Sequence, residues 1–204
     1  ERALWQFPEL AGLRVYDARG ELLYTSRAER SPRPSIADRA YFRALREAGR
    51  DALVFSEVLD VVSTGRQGVV AARPVLDGQG RFIGTVMAVL DLDHFKHLFQ
   101  SLDVGPSGAL AIRRSDDYRG VVCWPELARE INRPLPPGNP VREALVAGQP
   151  VGTLEFPAPS DGVVRTYSYR AVPGYPFFVL VALAAGDSGP VAFPALRCSS
   201  RASA

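Results

Sequence analysis

Apolar residues recur along this chain in two rhythms, a period of two that marks strands and a spacing of three and four that marks helices. Leu13-Arg14-Val15-Tyr16 alternates, turns at Ala18-Arg19-Gly20 and resumes at Glu21–Thr25, which predicts a hairpin. Tyr41, Phe42 and Leu45 share one helical face, and Arg43, Arg46 and Glu47 share the other. Asp38 is placed to cap that helix and Gly49 to end it. Three strands are predicted next, Ala52–Val58, Gly68–Leu76 and Arg81–Leu92, with Val61–Gly65 a loop and Asp77-Gly-Gln-Gly80 a hairpin turn. Phe95, Leu98, Phe99 and Leu102 then predict a helix over Asp93–Leu102.

The order then restarts. Val104–Gly108 is turn-forming, and Gly108–Arg113 with Gly120–Trp124 repeats the opening hairpin. Glu126–Asn132 is a short helix or extended strap, Arg133–Pro140 a proline-rich loop, and Val141–Ala147 a small helix. Gly152–Phe156, Arg165–Val172 and Phe177–Ala184 repeat the three closing strands, offset by about 95 residues from the first copy. The expectation is an α+β fold of two tandem modules, each an antiparallel sheet with flanking helices, because no strand–helix alternation supports a parallel sheet. Their bounds are 1–103 and 104–185, with 186–204 a disordered tail. Glu1–Leu10 suggests a frayed helix end broken at Pro8, and Arg27–Pro34 a polar loop.

Composition narrows the function classes. With 24 basic and 22 acidic residues, well mixed, nothing points to nucleic acid. A chain 47% hydrophobic and 23% charged is ordinary for a globular protein. The longest apolar run, Phe177–Ala185, falls short of the ~18–20 residues that cross a bilayer. The first residue is Glu1 and no export signal follows it, so the expectation is an excised or processed piece. Cys123 and Cys198 are expected as isolated free thiols.

Candidate chemistry is sparse. His94 and His97 are the only histidines, on one helix beside Asp91 and Asp93, and are expected to face solvent rather than hold a metal. Hydrolytic machinery would need a base elsewhere, and there is no Gly-x-Ser-x-Gly elbow, dinucleotide loop or Walker loop. No enzymatic activity and no cofactor are expected. Trp5 and Trp124 are expected in the core. The sharper cluster lies between 39 and 91. A helix laid over an antiparallel sheet would bring Arg39, Tyr41 and Phe42 above strands bearing Ser56, Arg73 and Asp91, placing both signs of charge at the rim of an apolar basin. The competing reading has Arg39 pair structurally with Asp91, while Tyr41 and Phe42 serve only the core.

The ordered series DRAYFRAL, LVFSEVL, a strand ending in ARPV, DGQGRFIGTVMAVLDLDHF and SLDVGPSGALAI resembles the double Cache sensor domains, PAS-like extracytoplasmic modules of bacterial membrane signalling proteins. The resemblance is nearest to versions fronting diguanylate cyclases, with histidine kinases and chemoreceptors behind. It implies a periplasmic location on an inner-membrane protein, membrane attachment through flanking helices absent here, and a possible homodimer. It also implies a small amino acid, amine or carboxylate bound in the first module. Arg39, Tyr41, Phe42 and Asp91 match the family's ligand-closing positions one by one. Amino-acid-binding members carry a Trp beside the aromatic and a Tyr on the following strand; here those places hold Tyr41-Phe42 and Ser56. With Arg39 and Arg73 available, a carboxylate ligand stands level with an amino acid. The second module, showing only Tyr167, Tyr169 and Arg170, is expected to relay rather than receive. A ligandless dimerisation spacer of a histidine kinase or chemoreceptor is the alternative.

Overall fold

The computed structural model describes residues 7–26, 35–61 and 65–187. Two antiparallel sheets follow one another along the chain. The first is built from β1 (Leu10–Asp17), β2 (Leu22–Thr25), β3 (Val54–Phe55), β4 (Leu59–Val61), β5 (Arg66–Leu76) and β6 (Phe82–Asp91), in the order β2-β1-β6-β5-β3 with β4 also on β5. The second contains β7 (Ala109–Arg114), β8 (Gly120–Trp124), β9 (Val151–Pro157), β10 (Val164–Ala171) and β11 (Phe177–Ala184), ordered β8-β7-β11-β10-β9. Each sheet therefore places its last strand beside its first, with the opening hairpin on the outside. That shared order is the duplication expected from the repeated pattern.

Helix α1 (Ala40–Ala48) lays Tyr41, Phe42 and Leu45 onto Val70 and Ala72 of β5 and Met87 and Val89 of β6. Gly49 ends it in the left-handed conformation, which a residue without Cβ adopts at little cost. Helix α3 (Pro140–Val146) occupies the corresponding place in the second module and seals Val141 against Phe178 and Ala182. Its amino end is capped by the Asn139 side chain, which accepts from the amides of Val141 and Arg142. Helix α2 (Leu92–Gln100) joins the modules. Leu92 and Phe95 pack with Val58 and Val69 of the first module and Val121 of the second, while Phe99 packs on Leu110 and Val122. The junction is thus an apolar layer in its own right.

Several sequence expectations shift. The strand expected over Ala52–Val58 is two short strands broken at Ser56. There the Ser56 hydroxyl, rather than a second strand carbonyl, accepts from the Val70 amide at 2.9 Å, and an arginine of the other module claims the adjoining carbonyls. Asp38 does not cap α1: Arg39 is the capping residue, in extended conformation and with no side-chain bond, because its own amide closes a turn onto the Ile36 carbonyl. The strap over 126–132 holds only a single 3-10 turn, Ala128–Glu130. Leu10 belongs to β1 and not to a helix, and Ala185–Asp187 forms a 3-10 turn where the tail was expected to begin. Residues 1–6, the whole 27–34 loop, 62–64 and 188–204, with Trp5 and Cys198 among them, lie outside the described residues.

Candidate functional site

The face of the first sheet beneath α1 is set by strand register. Ala72 pairs with Met87, and Met87 in turn faces Arg14 of β1; Thr85 faces Tyr16. Period-two alternation puts Arg14, Tyr16, Met87, Val89, Val70 and Ala72 on that one side. Tyr41 descends onto it from α1 and is buried. Burial, with Tyr16 adding to it, pushes the Tyr41 phenol up to about 12, against the opposing pull of Arg39 and Arg14. A neutral phenol and two guanidinium groups therefore share one corner above the sheet. Phe42 lies fully buried alongside, edge-on to Phe82 at 5.6 Å.

Not all the residues singled out from the sequence converge there. Arg39 is exposed at the start of α1 and has no acidic partner among the described residues. Asp91 lies on the same sheet face but four residues beyond Met87, roughly 13 Å along the strand. It caps α2 by accepting from the Asp93 amide at 3.0 Å and pairs with Arg66 at 3.2 Å. The structural Arg39–Asp91 pair is thus not formed. Arg73 corrects the alternation reading: it shares parity with Val69, which packs in the junction layer, and so projects from the face opposite α1. There it pairs with Asp51 at 3.0 Å, both side chains exposed. Ser56 is buried with its hydroxyl committed, donating to the Glu57 carbonyl at 2.6 Å while accepting from Val70. Arg14 and Tyr16 were missed. Their signal was their shared parity on a strand, hidden because β1 is an interior strand with residues buried on both faces.

The loop carrying Ser56 is also bolted to the second module. Arg114 donates through Nη1 to the carbonyls of Phe55 and Ser56 at 3.0 and 2.9 Å. Asn132 donates to the Val58 carbonyl at 2.7 Å and accepts from its amide at 2.9 Å. Phe55 rests edge-on against Phe177 at 4.8 Å.

The second module departs from the expectation that it lacks a charged cluster. A cavity of about 670 Å³ lies between its sheet, the strap of residues 125–136 and the loop around Asp161. Arg113 is buried and donates to the Tyr118 and Arg133 carbonyls and, at 2.6 Å, to Glu130, tying the strap to β7. Arg165 grips Asp161 with two bonds of 2.8 and 2.7 Å and donates through Nε to the Ser107 carbonyl. That fork holds the Asp161 carboxyl down at about 2. Burial raises both the Tyr167 phenol and the half-buried Cys123 thiol on the cavity wall. Trp124, expected in a core, packs against the Phe99, Leu110 and Val122 cluster and also lines this cavity. Among the described residues no group of three or more His, Cys, Asp or Glu is disposed to hold a metal ion, and no helix is long and apolar enough to cross a membrane.

Two tandem PAS-like sheets of identical strand order, each roofed by a helix, define the Cache class of sensor fold. Residues 92–183 match the dCache_1_like family, described as a histidine kinase sensor domain. The whole fold is similar to the extracellular domain assigned to the histidine kinase rpHK1S-Z16, with 26% identity, a TM-score of 0.77, and 90% of this chain and 74% of that one covered. It is similar also to the ligand-binding domain of the Pseudomonas aeruginosa PAO1 amino acid chemoreceptor PctB in complex with L-Gln, with 16% identity, a TM-score of 0.65, and 92% and 72% coverage. The ligand-binding domain of the Pseudomonas fluorescens chemoreceptor CtaA in complex with L-isoleucine superposes with 15% identity, a TM-score of 0.61, and 91% and 73% coverage. No curated protein sequence matches the chain.

Proposed function

We propose that this chain is the extracytoplasmic sensing region of a transmembrane signalling protein, binding a small amino acid, amine or carboxylate under α1 of its first module. The observation that carries the reading is Arg39: it stands at the start of α1, beside the buried Tyr41 phenol, with no acidic partner among the described residues. A guanidinium fork there can take a carboxylate in two parallel bonds while Tyr41 and Phe42 exclude water. Asp91, roughly 13 Å along the strand and already paired with Arg66, stands apart from this corner, so the carboxylate end of the ligand is the one the site anchors. The complexes of the two chemoreceptor domains with L-Gln and L-isoleucine support an amino acid as the first ligand to try.

The change on binding would pass through the Ser56 loop, which touches β5 on one side and Arg114 and Asn132 on the other. For the output, the family match favours a histidine kinase over the diguanylate cyclase suggested by the sequence. Calorimetric titration with amino acids, amines and short carboxylates tests the site. Charged hydrogen bonds of about 1.5–3 kcal/mol predict that Arg39→Ala weakens binding by roughly one to two orders of magnitude. Because Arg39 is exposed and Asp91 is served by Arg66, the melting temperature should hardly move. No ligand in the panel, together with a large fall in melting temperature for the variant, would leave the spacer reading.

A further inference from the structure

We infer that the second module is a receptor in its own right, with its cavity taking a carboxylate that carries an apolar body, such as an aryl-alkanoate or a medium-chain fatty acid. This site is separate from the one proposed under α1 and does not depend on it. Four observations converge. The cavity, about 670 Å³, falls in the range that encloses whole small molecules and exceeds what a short amino acid fills. Its walls are mainly aliphatic and aromatic, with Phe156 and Tyr167 stacked at 4.0 Å on the sheet side and Trp124 and Leu127 toward the strap.

Its charge is unbalanced: four arginines, Arg113, Arg129, Arg133 and Arg165, line it against two carboxylates, Glu130 and Asp161. Glu130 and Asp161 are engaged by Arg113 and Arg165. Arg129 and Arg133 are exposed and pair with no acidic residue among the described residues, so they are the cations left for an anion. Finally, the site is held open in advance. Arg113 ties the strap to β7, and the Gly120 position passes so near the strap that a Cβ there would stand 2.1 Å from the Glu130 carbonyl oxygen. Prior ordering of the walls lowers the entropy lost on binding. An apolar body would lie against Phe156 and Tyr167, and its carboxylate would meet the two unpaired guanidinium groups.

The test uses the whole chain with two probes, 3-phenylpropionate and octanoate, and the neutral 3-phenylpropionamide. Calorimetry should show saturable binding of both carboxylates, with the amide at least tenfold weaker. Replacing Arg129→Ala together with Arg133→Ala, both exposed, should weaken the carboxylates at least tenfold and leave the amide unchanged. Location is read independently from Cys123 on the cavity wall, in a Cys198→Ser background: saturating 3-phenylpropionate should slow its alkylation by a maleimide at least fivefold. Absence of saturable heat from both carboxylates up to 10 mM would overturn the proposal. So would equal affinity in the double arginine variant, or binding that leaves Cys123 alkylation unchanged, which would put the probe elsewhere.

Discussion

Asn132 offers the most direct measure of how tightly the modules are coupled. It sits on the strap of the second module with φ of 57°, a left-handed conformation that Asn tolerates better than other residues with a Cβ. Its side chain makes a matched pair of bonds to the amide and carbonyl of Val58, 74 residues earlier. Val58 is only 7% exposed, so Asn132→Ala leaves both backbone groups without a partner and with little water to replace it. Each such group costs about 1–3 kcal/mol; the strap is partly solvated, which favours the lower end. Ala also loses about 1 kcal/mol to the left-handed backbone. Altogether Asn132→Ala should destabilise by about 3 kcal/mol and lower the melting temperature by roughly 6–12 °C for a chain of this size. Asn132→Gly loses the same two bonds without the backbone cost and should recover about 1 kcal/mol of the loss. Thermal and urea unfolding of parent, Ala and Gly variants provide the measurement. If Asn132→Ala stays within 0.5 kcal/mol of the parent, or if Gly is the worse of the two, the bonds do not hold the junction as argued.

Two further outcomes follow from the geometry. At Gly84 a Cβ would stand 2.2 Å from the Tyr16 carbonyl oxygen across the β1–β6 pair. Gly84→Ala should therefore force two interior strands apart and cost about 3 kcal/mol of stability, seen as a lowered urea midpoint, and an unchanged midpoint would contradict that closeness. Asp161, held at about 2 by Arg165 against an ordinary value of about 3.9, contributes stability that is present above pH 4 and is lost as the pH falls toward 2. Urea midpoints between pH 5 and 2 should fall less steeply for Asp161→Asn than for the parent.

Much of this protein was legible in its sequence because the information is local. The period-two runs, the Tyr41-Phe42-Leu45 stripe and the Asp77–Gly80 turn each specify their own element from neighbouring residues, and their recurrence in order specified two like modules. Helix α1 was placed within two residues and its burial was right, because an amphipathic stripe has one stable way to meet an apolar sheet. The chemistry was less legible because it depends on register and on long-range choice of partner. Arg73 looked as though it joined Tyr41, yet β5 is buried on both faces in its middle, so alternation alone did not reveal which side faced α1. Asp91 looked like the natural partner of Arg39, but Arg66, brought near by the pairing of Gly68 with Asp91 across β5 and β6, reaches it and Arg39 is left exposed. The second cavity was invisible for the same reason. Arg113, Glu130 and the Asp161–Arg165 pair come from three separate segments, and only the closing of the strap over the sheet brings their charges around one space. Local sequence chose the elements; the pairing register and the packing of the strap chose which side chains meet.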